Sequence, residues 1–193
     1  NTGGLINRGT VAEQFLYEIG DPGSYLLPDV VCDFTSVTIE DKGENCVFVS
    51  GAKGYPPTDT YKVSATYKDG YKVVATIVIG GPSAVKKAHV IGEAILDKTR
   101  LIFHEKGMED YTKTNMGILG SEAIYGKDEN NYIETREVVL RLAATHQERS
   151  ALVVLSREIA QAATGMAPGV MNYLGGRPSI SNSIKLYSFL LPK

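Results

Sequence analysis

The strongest constraint in this chain is a run of alternating residues on either side of Asp69-Gly70. Val63, Ala65 and Tyr67 alternate with Lys62, Ser64, Thr66 and Lys68, and beyond the Asp-Gly pair Tyr71, Val73, Ala75, Ile77 and Ile79 continue the alternation. Side chains on a strand repeat every two residues, so such a run turns one apolar face toward a core. Gly tolerates the positive φ that a tight turn demands. The sequence therefore predicts a β-hairpin over Tyr61–Ile79 with its turn at Asp69-Gly70. Val74 and Val78 make the return strand apolar on both faces near its end, which predicts a central strand.

Gly80-Gly81-Pro82-Ser83 leads into a predicted helix over 84–106, with Ser83 as N-cap and Gly107 as the residue after the C-cap. Val85, Ala88, Gly92, Ile95 and Ile102 keep helical spacing. A strand is predicted over 112–119. The polar stretch 127–131 separates it from a second strand over 137–145, where Val138, Leu140, Leu142 and Ala144 alternate. Leu152, Leu155, Ile159 and Ala162 predict a helix over 148–164 that Gly165 ends. A Gly-, Pro- and Ser-rich loop follows over 166–183. The apolar end, from Ile184 to Leu191, predicts a final buried strand. Strand, helix, strand, strand, helix, strand is the split βαβ order: an α+β ferredoxin-like sandwich, an antiparallel sheet with two helices on one face.

Before this lies an N-terminal extension. Thr10-Val11-Ala12-Glu13 fits a capping box, Val11, Phe15 and Ile19 line one helix face, and Gly20 and Pro22 end the helix. A loop with Gly23, Ser24, Tyr25 and Pro28 follows. Val37 and Ile39 are expected to pair with Val47 and Val49 as a hairpin turning at Glu40–Gly43, while Gly54, Pro56 and Pro57 break regular structure over 53–60. The expected organisation is a helix and β extension over 1–60 and a ferredoxin-like domain over 61–193, together one compact unit.

Several functional classes drop out on chemistry. Twenty Lys and Arg against 22 Asp and Glu give a net charge of −2, which lacks the bulk signature of a nucleic-acid binder. No apolar run approaches the roughly 18 residues needed to cross a bilayer, so no membrane partner is expected. Cys32 and Cys46 make no disulfide framework or four-thiolate site and are expected as small core residues. His89 and His104 lie fifteen residues apart on one helix, about 22 Å along its axis. His146 follows a strand and no HExxH occurs, so no metal is expected. Ser150 and Ser156 lack the GxSxG elbow. The glycines at 80–81 match neither GxGxxG nor a P-loop and read as a tight strand-to-helix turn. No cofactor is implied, and no catalytic residue is identified.

Two candidate ligand sites remain. Thr2, Gly3 and Gly4 offer unobstructed backbone amides to an anion, against the plainer reading of a junction between segments. The loop 164–177 carries Thr164, Gly165, Gly175 and Gly176, which permit close backbone approach, and Arg177, whose forked guanidinium suits a carboxylate or phosphate. The plainer reading is a crossover loop with a surface Arg.

Five stretches together resemble one family: NTGGLINRGTVAEQFLYEIGDPGSYLLPDVV at 1–31, GAKGYPP at 51–57, REVVLRLAATHQERSALVVLSREIAQAATGMAPGV at 136–170, and GGRPSIS and LYSFLLPK near the end. They resemble the acyclic terpene utilisation family AtuA over essentially the whole chain. Members are typically longer, so the chain looks like their C-terminal portion, in keeping with Asn1 rather than Met at its start. The resemblance implies a cytoplasmic role in citronellol and geraniol or branched-acid catabolism. It leaves two functional readings. One is a contribution to a hydratase- or lyase-type site on a carboxylate or acyl-CoA substrate. The other is a non-catalytic assembly module. The implied partners are the N-terminal half of the same protein or a partner subunit, with a homo-oligomer expected.

Overall fold

A computed structural model describes residues 3–124, 126, 135–171 and 177–193. In chain order these form α1 (Arg8–Leu16), β1 (Tyr25–Leu26), β2 (Val31–Asp33), β3 (Thr38–Gly43), β4 (Cys46–Ser50), β5 (Lys53–Tyr55), β6 (Thr60–Gly80), α2 (Ala84–Glu105), β7 (Lys113–Leu119), β8 (Glu137–His146), α3 (Arg149–Gly165), β9 (Val170–Met171) and β10 (Ile180–Pro192). The chain is α+β. It divides into two compact units, one of Asn1–Ala65 with Tyr187–Lys193, the other of Thr66–Leu186.

The larger unit holds the core. Its sheet runs in the order β10-β6-β8-β7, and β9 also pairs with β6. The β6–β8 pair is antiparallel, and its register sets Val73 opposite Ala144, Ala75 opposite Leu142, Ile77 opposite Leu140 and Ile79 opposite Val138. All eight are buried in one cluster with Ile91 and Ile95 of α2 and Leu152, Leu155 and Ile159 of α3. Because both helices share this cluster and touch each other, they lie on the same face of the sheet. A one-residue slip of β6 would turn the whole apolar set outward, so burial fixes the register.

The ends of these helices follow their sequence signals unevenly. At the end of α2, Gly107 takes φ +64, its N–H reaches the His104 carbonyl, and Met108 N–H reaches the Phe103 carbonyl at 2.9 Å. That is the Schellman pattern. Ser83 holds the N-cap position of α2 at φ 55, but its side chain makes no capping bond. Before α3, the Glu148 N–H donates to His146 Nδ1 at 2.8 Å, so Nε2 carries the ring proton and donates to the Glu109 carbonyl at 3.0 Å. Inside the core edge, burial pushes the Tyr111 hydroxyl up to about 12. That hydroxyl donates to Thr99 Oγ1 at 2.7 Å, and Thr99 donates onward to helix carbonyls.

Asp69-Gly70 is not a hairpin turn. β6 is one continuous strand of 21 residues. Gly70 does take a positive φ of +69. It serves a close approach instead: a Cβ there would meet the His146 carbonyl oxygen at 2.6 Å. Asp69 is held by Lys185 of β10 and, at 3.1 Å, by Gln147 just past β8. The Asp-Gly pair thus lets β6 run past the end of β8, where local turn chemistry alone predicted a reversal.

The smaller unit contains α1, the antiparallel sheet β1-β2-β5 and the β3–β4 hairpin. The first N-cap is Asn7, whose side chain accepts from Thr10 N while Thr10 Oγ1 accepts from Asn7 N. Thr10 is therefore the partner within the capping box and not the cap. The helix ends at Leu16, before Ile19. Residues 23–28 include strand β1, and residues 53–60 include strand β5 paired with β2, where the sequence predicts irregular structure in both. The hairpin forms with Ile39 opposite Val49, but it turns at Glu44-Asn45, with Asn45 at φ 53 and a bulge between Asp41 and Gly43.

Among the described residues of this unit none is buried. A half-buried aromatic set of Phe15, Tyr25 and Phe34 is its nearest approach to a core. Cys32 is half-buried and Cys46 exposed, so neither is a core residue. The last strand forms but is not buried. β10 is a sheet edge, and Ile184, Leu186, Tyr187, Leu190 and Leu191 are exposed along it.

The Asp69 contacts carry a pH dependence. Hydrogen bonds from Lys185 and Gln147 hold its carboxyl below the usual 3.8, and the same pair raises Lys185 above 10.5. The carboxylate's contribution is therefore complete above 3.8 and fades as pH falls through the lowered folded-state value, while that of Lys185 fades as pH rises through its raised value. Urea denaturation of Asp69→Asn across the acid range should show a shallower loss of stability than the wild type. Superimposable acid limbs would contradict this assignment.

Candidate functional site

The residues singled out in the sequence fall in both units. Thr2, Gly175 and Gly176 lie outside the described residues. Gly3, at φ +72, and Gly4 are exposed in the smaller unit. Thr164, Gly165 and Arg177 are exposed in the larger. The Thr164 hydroxyl donates back to the carbonyls of Ala160 at 3.4 Å and Gln161 at 3.3 Å, which leaves it acceptor capacity only.

The start of that loop meets the glycine turn between β6 and α2. Gly80 N–H donates to the Gly169 carbonyl and Gly81 N–H to the Arg136 carbonyl, each at 2.8 Å. Both amides are thus engaged, in line with a structural turn. Lys87, one turn into α2, donates from Nζ to the Gly80 carbonyl at 2.6 Å and the Pro168 carbonyl at 3.0 Å. Gly169 is at φ +83, and a Cβ on it would meet the Gly80 carbonyl oxygen at 2.4 Å. An ammonium and two glycines therefore lock the end of α3 onto the sheet.

A cleft that the sequence did not reveal lies wholly within the smaller unit and measures about 470 Å³. The turn after α1 supplies Glu18, Gly20 and Asp21, and Ser24, Tyr25 and Leu26 lead into and form β1. Lys62 and Ser64 are two apart on β6 and so share a face; Ser188, Phe189 and Leu190 come from β10. The Ser64 and Ser188 hydroxyls stand 3.3 Å apart. Only assembly in space could show this cleft, because its walls come from three stretches far apart in sequence.

Other sites are sparse. Among the described residues no group of three His, Cys, Asp or Glu side chains is placed to hold a metal ion. The pKa of Asp33 is lowered by hydrogen bonds from Thr35. Like the shifts at Asp69, Tyr111 and Lys185, it arises from structural contacts. Among the described residues no helix is long and apolar enough to cross a membrane.

These features define an α+β protein in which a helix-backed sheet is joined to a second β unit that buries none of its described residues. A family profile described as acyclic terpene utilisation family protein AtuA matches residues 1–193, and the chain belongs to that family. No curated protein and no solved structure matches it.

The Lys87 lock has a measurable consequence. Lys87→Met should leave two carbonyls without their donor, at a cost of about 1–3 kcal/mol, and should speed hydrogen exchange at the Gly80 amide. Lys87→Arg should recover part of the loss. Unchanged stability and exchange in Lys87→Met would remove the lock from the account.

Proposed function

We propose that this chain is an assembly module of an AtuA-family protein acting in acyclic terpene catabolism, and that its smaller unit is the surface other protein covers. One observation carries the reading. No described residue of this unit is buried, while Leu5, Leu16, Tyr17, Phe48, Tyr55 and Tyr187 stand exposed. Holding each residue in one backbone conformation costs about 1–2 kcal/mol. Apolar burial is the main term that offsets this cost, and the unit supplies little of it on its own.

Charge bears on what the occupant is. The smaller unit carries nine Asp and Glu against five Lys and Arg, a net −4, and the larger carries +2. A second copy meeting this unit face to face would set two such negative surfaces together. The reading therefore takes as occupant the upstream, N-terminal portion that the family resemblance implies, presenting an apolar face with a basic rim. A hydratase or lyase step on a carboxylate or acyl-CoA would then belong to the assembled protein. Two free thiols, Cys32 and Cys46, support a reducing, cytoplasmic setting. The β10-β6-β8-β7 order with α2 and α3 on one face supports reading the larger unit as a ferredoxin-like split βαβ layer.

Limited proteolysis tests this. The chain alone should be cut first within residues 3–60 and should survive intact once co-expressed with the upstream portion, with which it should form a stable complex on a sizing column. A chain that resists cleavage by itself, or that forms no such complex, would contradict the assembly role.

A further inference from the structure

The cleft of the smaller unit carries charges that no described residue of the unit engages. No ion pair or side-chain hydrogen bond among the described residues engages the Lys62 ammonium or the Glu18 carboxylate, and Asp21 uses one carboxylate oxygen to accept from Gly23 N–H. Among the described residues, a cation and an anion thus line one concavity without a partner and without meeting. Its volume of about 470 Å³ falls within the roughly 300–1,000 Å³ typical of small-molecule sites.

Glu18 is also held against its preference. It is the residue after Tyr17, the C-cap of α1, and it takes φ +60. Gly is the usual residue there, because a Cβ is strained at positive φ. A charged side chain at this position gives up stability and gains a carboxylate in the lining of the cleft. Strain of that kind points from structure to use.

We propose that this cleft binds a zwitterionic α-amino acid with an apolar side chain. The ligand carboxylate pairs with Lys62 and accepts from the Ser64 and Ser188 hydroxyls. Its ammonium pairs with Glu18 and the open oxygen of Asp21. Its side chain lies against Tyr25, Leu26, Phe189 and Leu190. Two carboxylates against one ammonium disfavour a plain carboxylic acid, which would leave the acids unanswered and raise the negative charge. They likewise disfavour polyphosphate groups. A zwitterion answers both signs and leaves the net charge of the site unchanged.

Calorimetric titration with L-leucine, on the 193-residue chain and on its co-expressed complex with the upstream portion, tests the proposal, with 4-methylpentanoate and isoamylamine as probes lacking one charge each. L-leucine should bind, and each single-charge probe should bind at least about tenfold more weakly. Glu18→Gln and Lys62→Met should each reduce leucine affinity by a similar factor. Glu18→Gly should raise the thermal midpoint while also losing affinity, a combination that a purely structural role for Glu18 does not produce. Absence of leucine binding, equal binding of 4-methylpentanoate, or unchanged affinity in Glu18→Gln would each overturn it.

Discussion

The core between the β6–β8 pair and the two helices sets everything else in this molecule. Four residues of each strand stand directly opposite one another and face the same apolar layer of α2 and α3. That contact fixes the strand register, selects one face of the sheet for both helices and determines where the chain leaves the layer. Gly70, Asp69 and Gln147 are arranged at one end of the pair, and Gly80, Lys87 and Gly169 near the other. Both sets consist of backbone close approaches with polar side chains holding them, which is what a strand pair requires where its apolar contacts stop.

The smaller unit shows the opposite economy. Its strands and its helix are formed, the N-cap of α1 is satisfied, and its aromatic residues touch, yet none of its described residues is fully buried. Local hydrogen bonds define its shape without supplying the burial that stabilises an independent domain. This asymmetry is what supports the proposed assembly role. It also suits a ligand cleft, since a surface without a close-packed interior has room for charges such as those of Glu18 and Lys62, which no described residue pairs.

Sequence reading reached the larger unit well because its signals are periodic and redundant. The alternation at Val138–Ala144, the helical spacing at Leu152–Ala162 and the Gly107 stop all match the structure. It failed at Asp69-Gly70, where the same dipeptide serves a tight turn or a close contact, and only the His146 carbonyl, distant in sequence, decides between them. It failed again at the last strand and the cysteines, because apolar composition predicts burial only beside a packed core. In an edge strand and in a unit without a core, it does not. Strands β1 and β5 were missed because two or three residues carry no period. The cleft was out of reach for a different reason: Glu18, Lys62 and Ser188 become neighbours only when segments far apart in sequence meet.

Native-state hydrogen exchange on the chain alone, followed across low denaturant concentrations, tests the central claim most directly. Amides of Val73–Ile79 and Val138–Ala144 should exchange only through global unfolding, whereas those of β1 to β5 should exchange through much smaller local openings. Equal opening free energies in both groups would contradict the account, because the smaller unit would then possess a stability that its exposed side chains do not explain.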